Sequence, residues 1–238
     1  MEGPAAGALA DTARDRWQWA TGHRPVPARA GAPSDCWPGH LAPDIEDVEV
    51  AIARTYPAWK GRGAVREVEA LFRDTIARAE HTLYIENQYF TATRIARAVL
   101  DRLGEDDCPE IVLVVPQAPT GWLEQSTMGT RQRYLLARLR QADRHGRLRV
   151  YMPVVGAAGE VAIKVHAKVM VADGRFVRVG SANLNNRSMG LDSECDLALE
   201  SAAGTAPAQA ITRLRGGWPS TSTPRPTASP ARSRRAAR

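Results

Sequence analysis

Cysteine is scarce. Cys36, Cys108 and Cys195 are the three in the chain, and they are scattered. An odd, isolated set offers neither a disulfide framework nor a zinc site. Reduced thiols fit a reducing compartment, so a cytoplasmic setting is expected, with contact to a membrane confined to its surface. Long apolar runs are lacking as well. Stretches such as Ile111 to Val115 fall far short of the ~20 residues that a membrane-spanning helix needs. The opening Met1-Glu2-Gly3-Pro4-Ala5-Ala6 lacks the basic region followed by an apolar stretch that marks a secretory signal. Acidic residues are missing from one end altogether: after Ala203 there are seven arginines and no Asp or Glu. Removing those seven from the net charge of +6 leaves residues 1–203 at −1. The basic character therefore belongs to the tail, and a near-neutral body argues against nucleic acid as a partner.

What is present changes character along the chain. Residues 1–43 are poor material for a core: one helix over Ala8 to Trp19, then a Pro/Gly-rich stretch from Gly22 to Pro43. From Asp44 the periodicities become regular. Strands are expected over Val48 to Ala53, Leu83 to Ile85, Ile111 to Val115, Leu148 to Tyr151, Val161 to Val171, Phe176 to Val179 and Asp196 to Glu200. Helices are expected over Ala64 to Ala79, Ala92 to Leu103 and Gln125 to His145. Asp173-Gly174 is a hairpin signal between two of the strands. Strands alternating with helices, closed by a hairpin, indicate an α/β fold with a mixed β-sheet sandwiched by helices. No internal repeat is visible. From Gly204 the chain is rich in Pro, Ser, Thr, Ala and Arg and reads as disordered.

The chemistry concentrates in Val165-His166-Ala167-Lys168-Val169-Met170-Val171-Ala172-Asp173. On a strand, His166, Lys168 and Met170 face one side, while Val165, Ala167, Val169 and Val171 face the other. An imidazole and an ammonium two residues apart can reach one anion. A lone histidine is more often packed than catalytic, but a lysine beside it, if buried, needs an anionic partner. Gly180-Ser181-Ala182-Asn183 follows on the next strand, and the hairpin brings it near. Such a loop is often a helix cap. Here its hydroxyl, carboxamide and backbone amides read as an oxyanion cradle. Glu194 could orient the imidazole or be an ordinary surface charge.

Taken together, His166-x-Lys168-x-x-x-x-Asp173, Gly180-Ser181-x-Asn183, Arg187-Ser188 and the downstream Glu194 resemble the signature of the phospholipase D superfamily. Tyr84-Ile85-Glu86-Asn87-Gln88-Tyr89-Phe90 is similar to the segment that opens the second catalytic repeat of two-repeat phospholipases D. The resemblance runs from about Asp44 to about Ser201. It implies a phosphodiesterase that works through a phosphohistidine, needs no metal or other cofactor, and hydrolyses or transfers the phosphatidyl group of a phospholipid at a membrane surface. It carries over His166, Lys168 and Asp173 as the catalytic motif. His166 would be the general acid, Lys168 and Asn183 phosphate ligands, and Asp173 a structural or electrostatic support rather than a proton carrier. Ser181, Asn183, Glu194, Glu86, Asn87 and Gln88 are the substrate-binding candidates. For Glu86 to Gln88, turn or core packing is an equal reading.

The family pattern needs two such motifs and this chain has one, because His23, His40, His81 and His145 are not followed by a matching lysine. The expectation is a half-site, completed by another copy or by a missing N-terminal repeat. Residues 1–43 then read as a remnant of the inter-repeat linker, 44–203 as the catalytic repeat and 204–238 as a basic tail. From about Gly216 that tail reads as a frameshift product, because a one-base slip restores a sensible helix end. Three other readings stay open: a cardiolipin synthase-like phosphatidyltransferase, a nuclease built as a homodimer of single motifs, and an inactive gene fragment.

Overall fold

A computed structural model of the chain describes residues 1–27, 37–117, 125–156 and 161–215. The tail beyond residue 215, with the proposed frame slip, lies outside the described residues, as does Cys36. The elements run α1 (Pro4–Thr21), β1 (Ala51–Tyr56), β2 (Val65–Arg66), α2 (Glu67–Arg78), β3 (Thr82–Asn87), α3 (Thr93–Leu103), β4 (Glu110–Val114), α4 (Thr130–Ala142), β5 (Leu148–Tyr151), β6 (Val154–Val155), β7 (Val161–Ala162), β8 (Lys168–Ala172), β9 (Phe176–Gly180), β10 (Glu194–Glu200) and α5 (Ala206–Arg215). A π-helical turn, Gln125–Gly129, leads into α4. Eight strands form one sheet in the order β2-β1-β10-β9-β8-β3-β4-β5, and β6 pairs with β7 apart from it. β3, β4 and β5 are parallel neighbours joined through helices, while β3-β8, β8-β9, β9-β10, β10-β1 and β1-β2 are antiparallel. This is the mixed α/β sandwich that the alternation of periods indicated.

Alternation along the strands feeds two cores. On one face α2, α3 and α4 pack Val68, Phe72, Ile76, Ile95, Val99, Leu136 and Leu139 against Leu83, Ile85, Ile111, Leu113 and Met170. On the other face Tyr84, Val114, Val165, Val171 and Val177 meet Ile211 of α5. Burying side chains of this kind contributes about 1.5–3 kcal/mol each. Met170 thus parts from Val165 and Val171 as the period of two requires. Because Ile211 is fully buried and Ala208 and Ala210 nearly so, α5 belongs to the folded body. The body therefore runs past the expected boundary at residue 203.

Element ends differ from the sequence expectation where partners decide them. β1 begins at Ala51 rather than Val48, because its register with β10 starts at the pair Ala51–Ala198. The expected strand Val161 to Val171 is broken. Its outer part, β7, pairs with β6, residues 163–167 are irregular, and β8 starts at Lys168. The cause is the loss of neighbours: β3 ends at Asn87, opposite Lys168, and among the described residues no strand continues that ladder. α1 is longer than expected and buries none of its residues, but Trp19 packs edge-on against Tyr56 with ring centroids 5.0 Å apart. Among the described residues, no helix is long and apolar enough to cross a membrane.

Candidate active site

The register brings one end of five strands to a common edge: Asn87 of β3 lies opposite Lys168 of β8, Gly180 of β9 opposite Asp196 of β10, and Glu194 opposite Thr55 of β1. His166 stands just beyond this edge. Its side chain is exposed, while the flanking Val165 and Ala167 pack into the second core and fix the backbone that presents it. Lys168 folds back over the same end. Its Nζ donates to the His166 carbonyl at 2.9 Å and to Gln88 Oε1 at 3.4 Å. Burial pulls the Lys168 pKa below its ordinary value, Glu194 opposes that fall, and Arg178 adds to it. The result is a partly desolvated ammonium held by neutral oxygens, an arrangement that favours an anion.

Ser181 and Glu194 are tied to each other. Ser181 Oγ donates to Glu194 Oε2 at 2.5 Å and accepts the Cys195 backbone N–H at 3.1 Å. Glu194 is buried, so it is no surface charge, and the partner it orients is Ser181 rather than the imidazole. Asn183 has its carboxamide Oδ1 buried with no hydrogen-bond partner, a state that typically costs about 1–3 kcal/mol.

The backbone half of the expected oxyanion cradle is not free. The Ser181 N–H donates to the Cys195 carbonyl, Ala182 to Asp196 Oδ1, Asn183 to Ser188 Oγ, Leu184 to Asn87 Oδ1 and Asn185 to the Asn183 carbonyl. These bonds shape the loop and occupy the amides of residues 181–185.

The Glu86-Asn87-Gln88 segment divides. Asn87 is fully buried and acts as a clamp: Oδ1 accepts from the backbone of Tyr89 and Leu184, and Nδ2 donates to the Ala182 carbonyl. Glu86 accepts a 2.6 Å bond from Tyr84 Oη. Gln88 touches Lys168 and so faces the site. Asp173 lies at the opposite end of β8 from His166, in the hairpin, and is not part of the cluster. Its carboxylate accepts the backbone N–H groups of Glu80, His81 and Thr82 at 2.8–2.9 Å. Partial burial works to raise its pKa, but the three backbone donors outweigh it and hold the carboxyl below its ordinary value. This is a supporting role, not that of a catalytic group.

Sequence reasoning missed the pair that holds the edge together. Arg178 and Asp196 are both fully buried and ion-paired. Arg178 Nε donates to Asp196 Oδ2 at 2.8 Å, Nη1 to the Lys168 carbonyl at 3.3 Å and Nη2 to the Ala182 carbonyl at 3.2 Å. The guanidinium thereby links the lysine strand to the Ser181–Asn183 loop, with Phe72 beneath it at 4.2 Å. Burial lowers the Arg178 pKa and Asp196 counters it. Gly180 makes room for this pair, since a Cβ there would lie 1.9 Å from Asp196 Oδ1. The signal was a single charge inside each of two apolar strands, Phe176-Val177-Arg178-Val179 and Cys195-Asp196-Leu197. Among the described residues no group of His, Cys, Asp and Glu could hold a metal ion.

The family model described as cardiolipin synthase, PLD-like domain, matches residues 72–214. The chain belongs to the phospholipase D-like family. Phospholipase D of Phytophthora infestans is 29% identical over 196 residues, covering 66% of this chain and 11% of that protein. Phospholipase D2 of Bos taurus is 26% identical over 176 residues, covering 59% of this chain and 19% of that protein. This phospholipase D-like chain thus spans less than a fifth of the length of either relative. The fold is shared with the phosphatidylserine synthase of Haemophilus influenzae at a TM-score of 0.51 and 16% identity, over 71% of this chain and 37% of that one.

Proposed function

We propose that this phospholipase D-like chain supplies one half of a phosphodiesterase site that hydrolyses or transfers the phosphatidyl group of phospholipids. The observation that carries the reading is exposed His166, whose carbonyl the partly desolvated Lys168 reaches beside Gln88, at a strand edge where Ser181 and Asn183 follow the end of β9. A nucleophilic histidine from a second half, another copy or an N-terminal repeat, attacks phosphorus and forms the P–N bond. His166 gives its proton to the departing alcohol oxygen as the P–O bond breaks. Water then attacks phosphorus, His166 takes a proton from that water, the P–N bond breaks, and phosphatidic acid leaves. Lys168 and the Asn183 carboxamide neutralise the phosphoryl oxygens. The exposed apolar side chains of Val154, Val155, Val161 and Ile163, just before His166 in the chain, fit a site that another surface covers.

With an alcohol in place of water the same sequence transfers the phosphatidyl group. Phosphatidylglycerol as acceptor would give cardiolipin, a reading favoured by the name of the matching family model.

The test is phosphatidic acid release from phosphatidylcholine vesicles. His166→Ala should lower the rate by ~10²–10⁴, and Lys168→Met by ~10²–10³. Release that persists in His166→Ala removes this histidine from the mechanism. No release by the folded wild-type chain, restored when a chain carrying the other motif is added, assigns the nucleophile to that chain.

A further inference from the structure

Next to the candidate site, at the same strand edge, lies a second cluster that the proposed chemistry does not use. Tyr56 closes β1, one residue past the pairing of Thr55 with Glu194. Around it is a hollow of about 520 Å³ lined by Arg16, Trp19, Tyr56, Trp59, Lys60 and Arg62, and reaching Ser193 beside Glu194. No Asp or Glu lines it. Arg62 sits 4.4 Å from the Trp19 ring centroid, and Arg16 sits 4.9 Å from that of Tyr56. Among the described residues, none of Arg16, Lys60 and Arg62 has a carboxylate partner. A guanidinium lying over a ring keeps its N–H edge free for an anion.

The segment Trp59-Lys60-Gly61-Arg62 forms a tight hairpin. The Trp59 N–H donates to the Arg62 carbonyl at 3.2 Å, and the Arg62 N–H to the Trp59 carbonyl at 3.0 Å. Both central residues have positive φ, Lys60 at 45° and Gly61 at 80°. A lysine in this left-handed region is disfavoured, yet it places the ammonium at the tip. Trp59 beside it is 65% exposed. An exposed indole flanked by cations that have no carboxylate partner matches the headgroup layer of a membrane, where Trp and Tyr anchor and Lys and Arg meet anionic lipid.

We infer that the Trp59–Arg62 hairpin, with Arg16 and Trp19 behind it, is a docking surface for an anionic phospholipid membrane, set to hold the strand edge bearing His166 at the lipid headgroups. The inference rests on the phospholipid-directed function proposed above.

Co-sedimentation of the full chain with vesicles tests it. Wild-type protein should bind phosphatidylcholine vesicles mixed with phosphatidylglycerol, bind pure phosphatidylcholine far less, and come off as salt is raised. Lys60→Asn with Arg62→Gln should weaken binding to the mixed vesicles by about tenfold or more. Lys60→Asn alone, at an exposed position whose backbone suits Asn, should weaken it by a smaller factor in a chain of unchanged fold. Equal binding to both vesicle types overturns the inference. So does a double variant that binds as wild type does, since lipid contact would then belong to the arginine-rich C-terminal end.

Hydrolysis of bis(p-nitrophenyl) phosphate, a soluble diester, separates the two ideas. A chain that cleaves it but whose vesicle binding ignores the double variant loses the docking surface alone. A chain that cleaves no diester, yet loses vesicle binding in the double variant, loses the proposed chemistry alone.

Discussion

Arg178 emerges from an apolar strand into the buried interior, and its guanidinium meets Asp196, the Lys168 carbonyl and the Ala182 carbonyl. A buried ion pair of this sort adds little net stability over an apolar pair, but losing one partner is expensive, because the other charge stays behind. Arg178→Met should therefore destabilise the fold by about 3–5 kcal/mol, read from urea unfolding. A loss under about 1 kcal/mol would mean that Asp196 finds another partner or water. The charges were visible in the sequence, but their meeting was not, because Arg178 pairs in register with Ala198 and reaches Asp196 only diagonally across the two strands. The His166–Lys168 spacing was legible for the opposite reason: both residues lie in one short segment, and no distant strand is needed to bring them together. Glu194 was found as a residue and misread in its partner, since which group a carboxylate orients depends on a neighbouring strand.

At the scale of elements, the turn of the β8–β9 hairpin was legible, although Ala172 pairs with Phe176 and Arg175 joins the loop. Asp173 and Gly174 have φ of 54° and 64°, the mirror-image turn that Asp-Gly favours. Less visible was that the Asp173 carboxylate also binds the backbone at the start of β3, a contact across more than ninety residues. Asp173→Asn keeps a side chain suited to the left-handed backbone but replaces an acceptor with a donor. It should cost about 1–3 kcal/mol at neutral pH. The carboxyl is held below its ordinary pKa in the folded chain, so its contribution is fully present above the unfolded value and is lost as pH falls through the depressed folded value. Stability measured by urea at neutral and at acid pH should thus differ less in the variant than in wild type. An unchanged acid dependence would show that these bonds contribute nothing. The broken strand before Lys168 was not readable, because its apolar alternation continues unbroken and only the end of β3 stops it.

Over the whole molecule, the described residues form an α/β body with one eight-stranded sheet and two cores, and under the proposed reading the chemistry at its edge calls for a second half. One motif is present, and the chain covers 11–19% of the phospholipases D of Phytophthora infestans and Bos taurus. Composition foresaw the neutral body and basic tail, but it could not show that α5 would close the second core through Ile211. Nor could it show that the amides of residues 181–185 would already be bonded to β3, β10 and the loop itself. The central claim is that His166 and Lys168 form an anion-binding half-site. The most direct test is nitrogen-detected NMR of the five histidines during titration with vanadate, a phosphoryl mimic. One imidazole signal, assigned by its absence in His166→Asn, should shift and saturate, and Lys168→Met should weaken that binding by about tenfold or more. A His166 signal that never moves, or one whose shift is indifferent to Lys168, would contradict the account.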